Sequence, residues 1–133
     1  MWEQQIANYM PHYLVFHVGG NDVDVVGCSH ELIDTTVLRL VNFLNTKKIR
    51  YGIRSVIALQ ITPRTVTRHV FCNDYNKRVR QFNQQLKMEL QHFNAITYWK
   101  IRGVMNSAYN LLIDGVHFNE EGFIRYIVFL SQY

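Results

Sequence analysis

Two kinds of apolar pattern alternate along the chain. Short, nearly unbroken runs, His12–Val18, Ser55–Ile61 and Ala95–Trp99, are rich in β-branched and aromatic residues. They read as strands buried on both faces, as in a parallel sheet. Between them the apolar positions recur at helical spacing: Ile33, Val37, Leu40, Val41 and Leu44, then Val79, Phe82, Leu86, Leu90 and Phe93. The first of these helices has Ser29 to cap it, Glu31 in its first turn, and Lys47-Lys48 where cations suit the last carbonyls. The second is expected from Tyr75. Trp2 to Met10 reads as the end of an amphipathic helix stopped by Pro11. A last helix, apolar on most sides and so expected to be covered on both faces, begins after Asn119. Gly19–Gly27, a dozen residues after Thr62-Pro63, and Gly103–Asp114 are expected as loops, the last with an apolar patch at Leu111-Leu112-Ile113.

Strands alternating with helices predict right-handed βαβ crossovers and a parallel sheet with helices on both faces, a three-layer α/β/α sandwich. Residues 1–133 fit a single domain. In such sheets ligand sites form beyond the carboxyl ends of the strands. Gly19-Gly20-Asn21-Asp22, Thr62-Pro63-Arg64 and Asp114–His117 each follow one of the three strands, so all three are placed on one rim.

The hydrophobic share of 48% supports a real core and argues against disorder. The longest apolar run, Phe123 to Leu130, is broken by Arg125 and falls well short of the roughly 18 residues that cross a bilayer. The N-terminus has neither the basic nor the apolar region of a signal peptide, and Cys28 and Cys72 are too few for a disulfide framework. An intracellular, cytoplasmic protein without a membrane partner is expected. Charge changes the picture further. Residues 1–38 carry no Lys or Arg, whereas residues 39–102 carry most of the basic side chains behind the net charge of +4. A basic middle can bind polyanions, and it can equally be a solvated helix surface.

Candidate chemistry centres on Asp114-Gly115-Val116-His117-Phe118-Asn119-Glu120-Glu121-Gly122. Asp114 can fold back to accept Nδ1–H of His117 and leave Nε2 outward, which is how a carboxylate orients a general base. The same residues also suit a plain Asx turn leading into a helix capped by Asn119. Gly122 is tolerated in that helix only if a neighbour packs closely against it. At the first strand end, the Asn21 amide can reach over the rim to a developing oxyanion, with Gly19 and Gly20 keeping the turn open. Cys28 reads as a packed thiol and His17 as a packed ring. His30, His69 and His92 have no ligand spacing, so no metal and no cofactor are expected.

Val18-Gly19-Gly20-Asn21-Asp22 resembles the Gly-x-Asn-Asp block of the SGNH (GDSL-type) hydrolases, and Asp114–Asn119 resembles their final Asp-x-x-His block. The Thr62-Pro63-Arg64 turn and the Tyr75-Asn76 helix start are similar to the subset of such domains carried by retroelement-type proteins. The resemblance implies a flavodoxin-like SGNH hydrolase fold. It implies His117 as base, Asp114 as the orienting acid, and Asn21 with Gly19 in the oxyanion-binding block. It also implies a small acyl ester as substrate. The family's serine lies in a Gly-Asp-Ser block upstream of Gly-x-Asn-Asp, and a further oxyanion block lies between them. This chain resembles the C-terminal two-thirds only, so the domain is expected to be truncated at its N-terminus and inactive alone. The alternatives are a non-catalytic remnant and a basic nucleic-acid-binding domain of mobile-element origin. Loss of the first segment would leave Tyr13–Val18 as an apolar edge open to self-association. Ser29, Ser55, Ser107 and Ser131 do not stand where the family's nucleophile does.

Overall fold

A computed structural model describes residues 2–101 and 111–131. The chain is mixed α/β, with the elements α1 (Trp2–Tyr9), β1 (Tyr13–Phe16), α2 (Gly20–Val23), α3 (His30–Arg50), β2 (Ser55–Leu59), α4 (Cys72–Leu90), β3 (Ile96–Trp99) and α5 (Glu120–Ser131). The strands form an open parallel sheet in the order β1-β2-β3, with Leu14 beside Val56 and Val56 beside Ile96. Four of the five β2 residues are buried, as its unbroken apolar run requires of a middle strand.

Alternate residues of β2 point to opposite faces, and each face has its own cluster. Val56 and Ala58 join Ile33, Val37, Val41 and Leu44 of α3 and Val79, Phe82, Leu86 and Leu90 of α4. Ile57 and Leu59 join Ile101 and Leu111, with Phe118, just ahead of α5, and Tyr126, within it, packed against them. One side of the sheet is thus covered by α3 and α4, and Tyr126 of α5 reaches the smaller cluster on the other. Ser29 caps α3 by accepting the Leu32 N–H at 3.2 Å, and Lys47 near its end pairs with Glu3 of α1.

Several expectations need correction. β1 is not buried on both faces: Tyr13 is 62% and Val15 39% exposed, because the second cluster is small and does not reach β1. The Gly19–Gly27 loop contains the short helix α2. α4 starts at Cys72, three residues before Tyr75, behind Phe71, which makes no side-chain cap. The last helix is not covered all round, since Phe123 and Ile124 are half exposed. Most of the Gly103–Asp114 loop, with Ser107, lies outside the described residues. Among the described residues no helix is long and apolar enough to cross a membrane.

Two asparagines two helical turns apart on α4 hold the chain as it leaves β2. Asn83, buried, accepts the Ile61 N–H at 2.8 Å and donates to the Ile61 carbonyl at 2.9 Å. Asn76 does the same for Arg64, at 2.9 and 3.1 Å. Each amide thus stands in for a neighbouring strand, satisfying backbone groups that β1 and β3 are too short to reach. Asn83→Ala should destabilise the fold by about 2–4 kcal/mol in urea titration, because it strands a buried donor and a buried acceptor. Gln84→Ala, on the exposed side of the same helix, should cost only a few tenths.

The side of β1 away from β2 has no strand partner among the described residues. Tyr9, Tyr13, Val15 and Val18 are exposed close to this edge in sequence. Unpaired apolar edges template pairing with other chains. The isolated chain should show concentration-dependent association in sedimentation, and Val15→Lys should reduce it.

Candidate active site

The chain segments leaving β1 and β2 and the turn before α5 converge on one cavity of about 720 Å³. Gly19, Asn21, Arg64, Asp114 and His117 all line it. The sequence motifs placed on one rim are therefore brought together in space.

The Asp114–His117 turn is the tip of a small hairpin. An antiparallel bridge joins Leu112 to Phe118, and the Ile113 and Asn119 N–H groups donate to His117 and Leu111 carbonyls at 2.9 and 2.7 Å. Asn119 then caps α5 by accepting the Gly122 N–H at 2.9 Å. Gly122 itself lies against Leu111, whose carbonyl oxygen would stand 2.5 Å from an added Cβ, which explains a glycine in the first turn of a helix. Gly115 fixes the tip to the loop after β2. Its carbonyl accepts the Thr65 N–H at 2.9 Å, and its φ of +81° and the closeness of Thr65 and Val66, 2.6 Å from an ideal Cβ, leave no place for a side chain.

Asp114 makes both kinds of contact, on different oxygens. Oδ1 accepts the N–H groups of Val116 and His117 at 2.9 and 2.7 Å, an Asx turn. Oδ2 lies 2.5 Å from His117 Nδ1. A carboxylate only accepts, so Nδ1 carries the proton and Nε2 is left as the basic nitrogen. The pair is open to solvent, with the His117 side chain 77% and that of Asp114 51% exposed. The His117 N–H, then the His117 ring, then the Val116 N–H hold the Asp114 carboxyl well below the usual carboxylate range.

In the same cavity, Asn21 sits in α2, which begins directly after Gly19; that glycine has φ +118° and lies so close to Phe82 that a Cβ would meet its ring at 2.7 Å. Arg64 Nη2 donates to Asn21 Oδ1 at 2.9 Å. Since the guanidinium is only a donor, the contact fixes which end of the amide is oxygen and leaves the Asn21 NH₂ as the donor end. Arg64 in turn is held by Asp24, Nη1 to Oδ2 at 3.3 Å, and lies over the Tyr75 ring at 5.0 Å. Asp24, 3% exposed, also accepts the N–H groups of Arg68 and His69 at 2.9 and 3.1 Å. Burial alone would raise its carboxyl. The two N–H groups and the Arg64 charge outweigh that, and the net shift is downward.

Asp24 is the residue of this cavity that sequence reasoning missed, and Arg64 was placed on the rim without its partners. Asp24 lay within the expected Gly19–Gly27 loop with no role assigned, and Arg64 was read only as part of the Thr62-Pro63-Arg64 turn. His17 is only partly the packed ring expected: it stacks on Phe118 and Tyr126, with centroids 6.4 and 6.0 Å away, yet lines the same cavity. The desolvation that comes with these neighbours lowers its pKa. Cys28 is half-buried and its thiol is pushed up by burial, against the opposing Arg78 charge, which disfavours a thiolate. No serine lines the cavity among the described residues, and Ser29 is occupied as a cap.

Because the Asp114 carboxyl titrates below its unfolded value of about 3.9, the turn's stabilisation is complete above that pH and is lost as pH falls through the lowered value. Carboxyl-carbon NMR should show Asp114 still ionised at pH 4, where exposed aspartates are half protonated. A midpoint at the ordinary value would contradict the geometry.

Comparison with known proteins gives no match, either to a family model or to a curated sequence.

Proposed function

We propose that this chain carries the base, orienting acid and oxyanion donor of an acyl-ester hydrolase of the SGNH type. The observation that carries the reading is the His117–Asp114 pair facing the same strand-end cavity as Asn21. The parallel β1-β2-β3 sheet, covered by α3 and α4 on one side and reached by Tyr126 of α5 on the other, is compatible with the three-layer, flavodoxin-like arrangement of that family.

In this reading His117 Nε2 takes the proton of the attacking hydroxyl while Nδ1–H donates to Asp114, which stabilises the imidazolium as it forms. The Asn21 NH₂ donates to the oxyanion of the tetrahedral intermediate. Arg64 keeps the Asn21 oxygen turned away from that oxyanion. Gly19 provides the open turn beneath Asn21. The nucleophile is assigned to a serine on a Gly-Asp-Ser segment outside this sequence, and the substrate to small acyl esters, which need no cofactor. The two free cysteines fit a reducing, intracellular setting.

The test is chemical. The chain alone should show no measurable turnover of p-nitrophenyl acetate, and it should not label with a fluorophosphonate, which needs an activated serine. Adding a Gly-Asp-Ser segment from a related domain, in cis or as a separate fragment, should restore both. In the restored protein His117→Ala should abolish turnover, and Asn21→Ala should lower it by about 10²–10³. Labelling of the unextended chain would overturn the assignment of the nucleophile. Failure of every extended form would leave a non-catalytic domain.

A further inference from the structure

The basic middle of the sequence does not form one continuous surface. Arg64 is taken up by Asp24 and Asn21, and Lys47 by Glu3. Arg78 is taken up by the carbonyls of Val23 and Val25, at 2.9 and 2.8 Å. These cations serve the fold and are poorly placed to meet an outside anion.

Another group is not consumed in this way. Arg80 and Lys87 on α4 and Lys100 after β3 border a groove of about 280 Å³ that also includes Gln60, Asn83, Gln84 and Tyr98. All three cations are exposed. No carboxylate lines the groove, and none of the three makes an ion pair among the described residues. Arg80, Gln84 and Lys87 follow one another at i, i+4 and i+7, so they form a stripe along one helix face. Seven residues of helix rise span about 10 Å, so the stripe is long enough to meet more than one phosphate of an extended strand. The floor is polar but already satisfied: Asn83 is bonded to Ile61, and Gln60 donates to the Ile101 carbonyl at 3.4 Å. Ligand contacts must therefore come from the rim cations, the exposed Gln84 amide and the half-buried Tyr98 ring.

We infer that this groove is a binding site for a single-stranded nucleic acid, with phosphates on Arg80, Lys87 and Lys100 and a base against Tyr98. Cations bordering one groove beside an aromatic ring and an amide match the way single strands are held, by electrostatic tracking and stacking. A duplex keeps its bases stacked inside and offers none to the Tyr98 ring. The groove shares no lining residue with the strand-end cavity, so the site stands independently of the ester-hydrolase reading.

The experiment is fluorescence anisotropy with a labelled oligo-deoxythymidine of about twelve nucleotides, within the span of known single-strand sites, titrated at several salt concentrations. The unmodified chain should bind it with an affinity that falls as salt rises. The triple variant Arg80→Gln, Lys87→Gln, Lys100→Gln should bind about tenfold or more weakly, and its salt slope should shrink by about two, three lost contacts at roughly 0.7 each. A control of equal charge loss, Arg39→Gln, Arg50→Gln, Arg54→Gln, should keep the slope and most of the affinity. All six side chains are exposed, so folding should survive, which circular dichroism checks. If the first triple does not fold, Lys87→Gln and Lys100→Gln singly should each lower the slope by about 0.7. No binding by the unmodified chain, equal losses in the two triples, or equal affinity for a duplex of the same length would each overturn the proposal.

Discussion

The buried Asp24 carboxylate is the tie on which the site depends. It lies just beyond α2, on the segment that leaves β1, and its three partners all belong to the segment that leaves β2. A charge this far from water is retained only when it is fully hydrogen-bonded and paired, and here two N–H groups and a guanidinium do both. Through Arg64 the tie reaches Asn21, and through Thr65 the same β2 segment receives the carbonyl of Gly115. The loops of two strands and the histidine hairpin are thus cross-braced around one carboxylate. An exposed pair such as Asp114–His117 keeps its position because the ground beneath it is rigid.

What the sequence showed depended on periodicity. β2 was legible because a middle strand is covered on both faces and reads as a continuous run. The stripes of α3 and α4 were legible because each faces one large cluster. β1 has the same apolar run, yet sequence cannot say whether a second layer reaches it, and here it does not. The start of α4 was misplaced because Phe71 offers no capping side chain. Asp114 and His117 stood out because their spacing suits a tight turn, and Asn21 and Gly19 because their block resembles a family motif. Asp24 and Arg64 meet across forty positions, and no local pattern encodes such a pairing.

Charge shows the same limit. Net charge and its distribution along the chain suggested a basic middle, but side chains there have different fates. Arg78 spends its donors on the carbonyls at the end of α2, while Arg80, two residues on, faces solvent. A helix turns by about 100° per residue, so neighbours in sequence are not neighbours on a surface. An electrostatic footprint is a property of faces, and counting charges overstates it wherever the interior has claimed some of them.

The parallel register has a kinetic meaning. Tyr13 pairs with Ser55 and Val56 with Ile96, so each pairing joins positions about forty residues apart. Loop-closure entropy must be overcome before either contact forms, and topologies of this kind fold slowly for their size. The β1–α3–β2 unit can close first, because its two strands and the helix between them are contiguous in the chain. The second crossover must then dock β3 before the hairpin that follows it can settle on Thr65. The strand-end cavity takes its walls from the segments after β1 and β2 and from the hairpin before α5, so it is complete only when these distant pieces of chain have met.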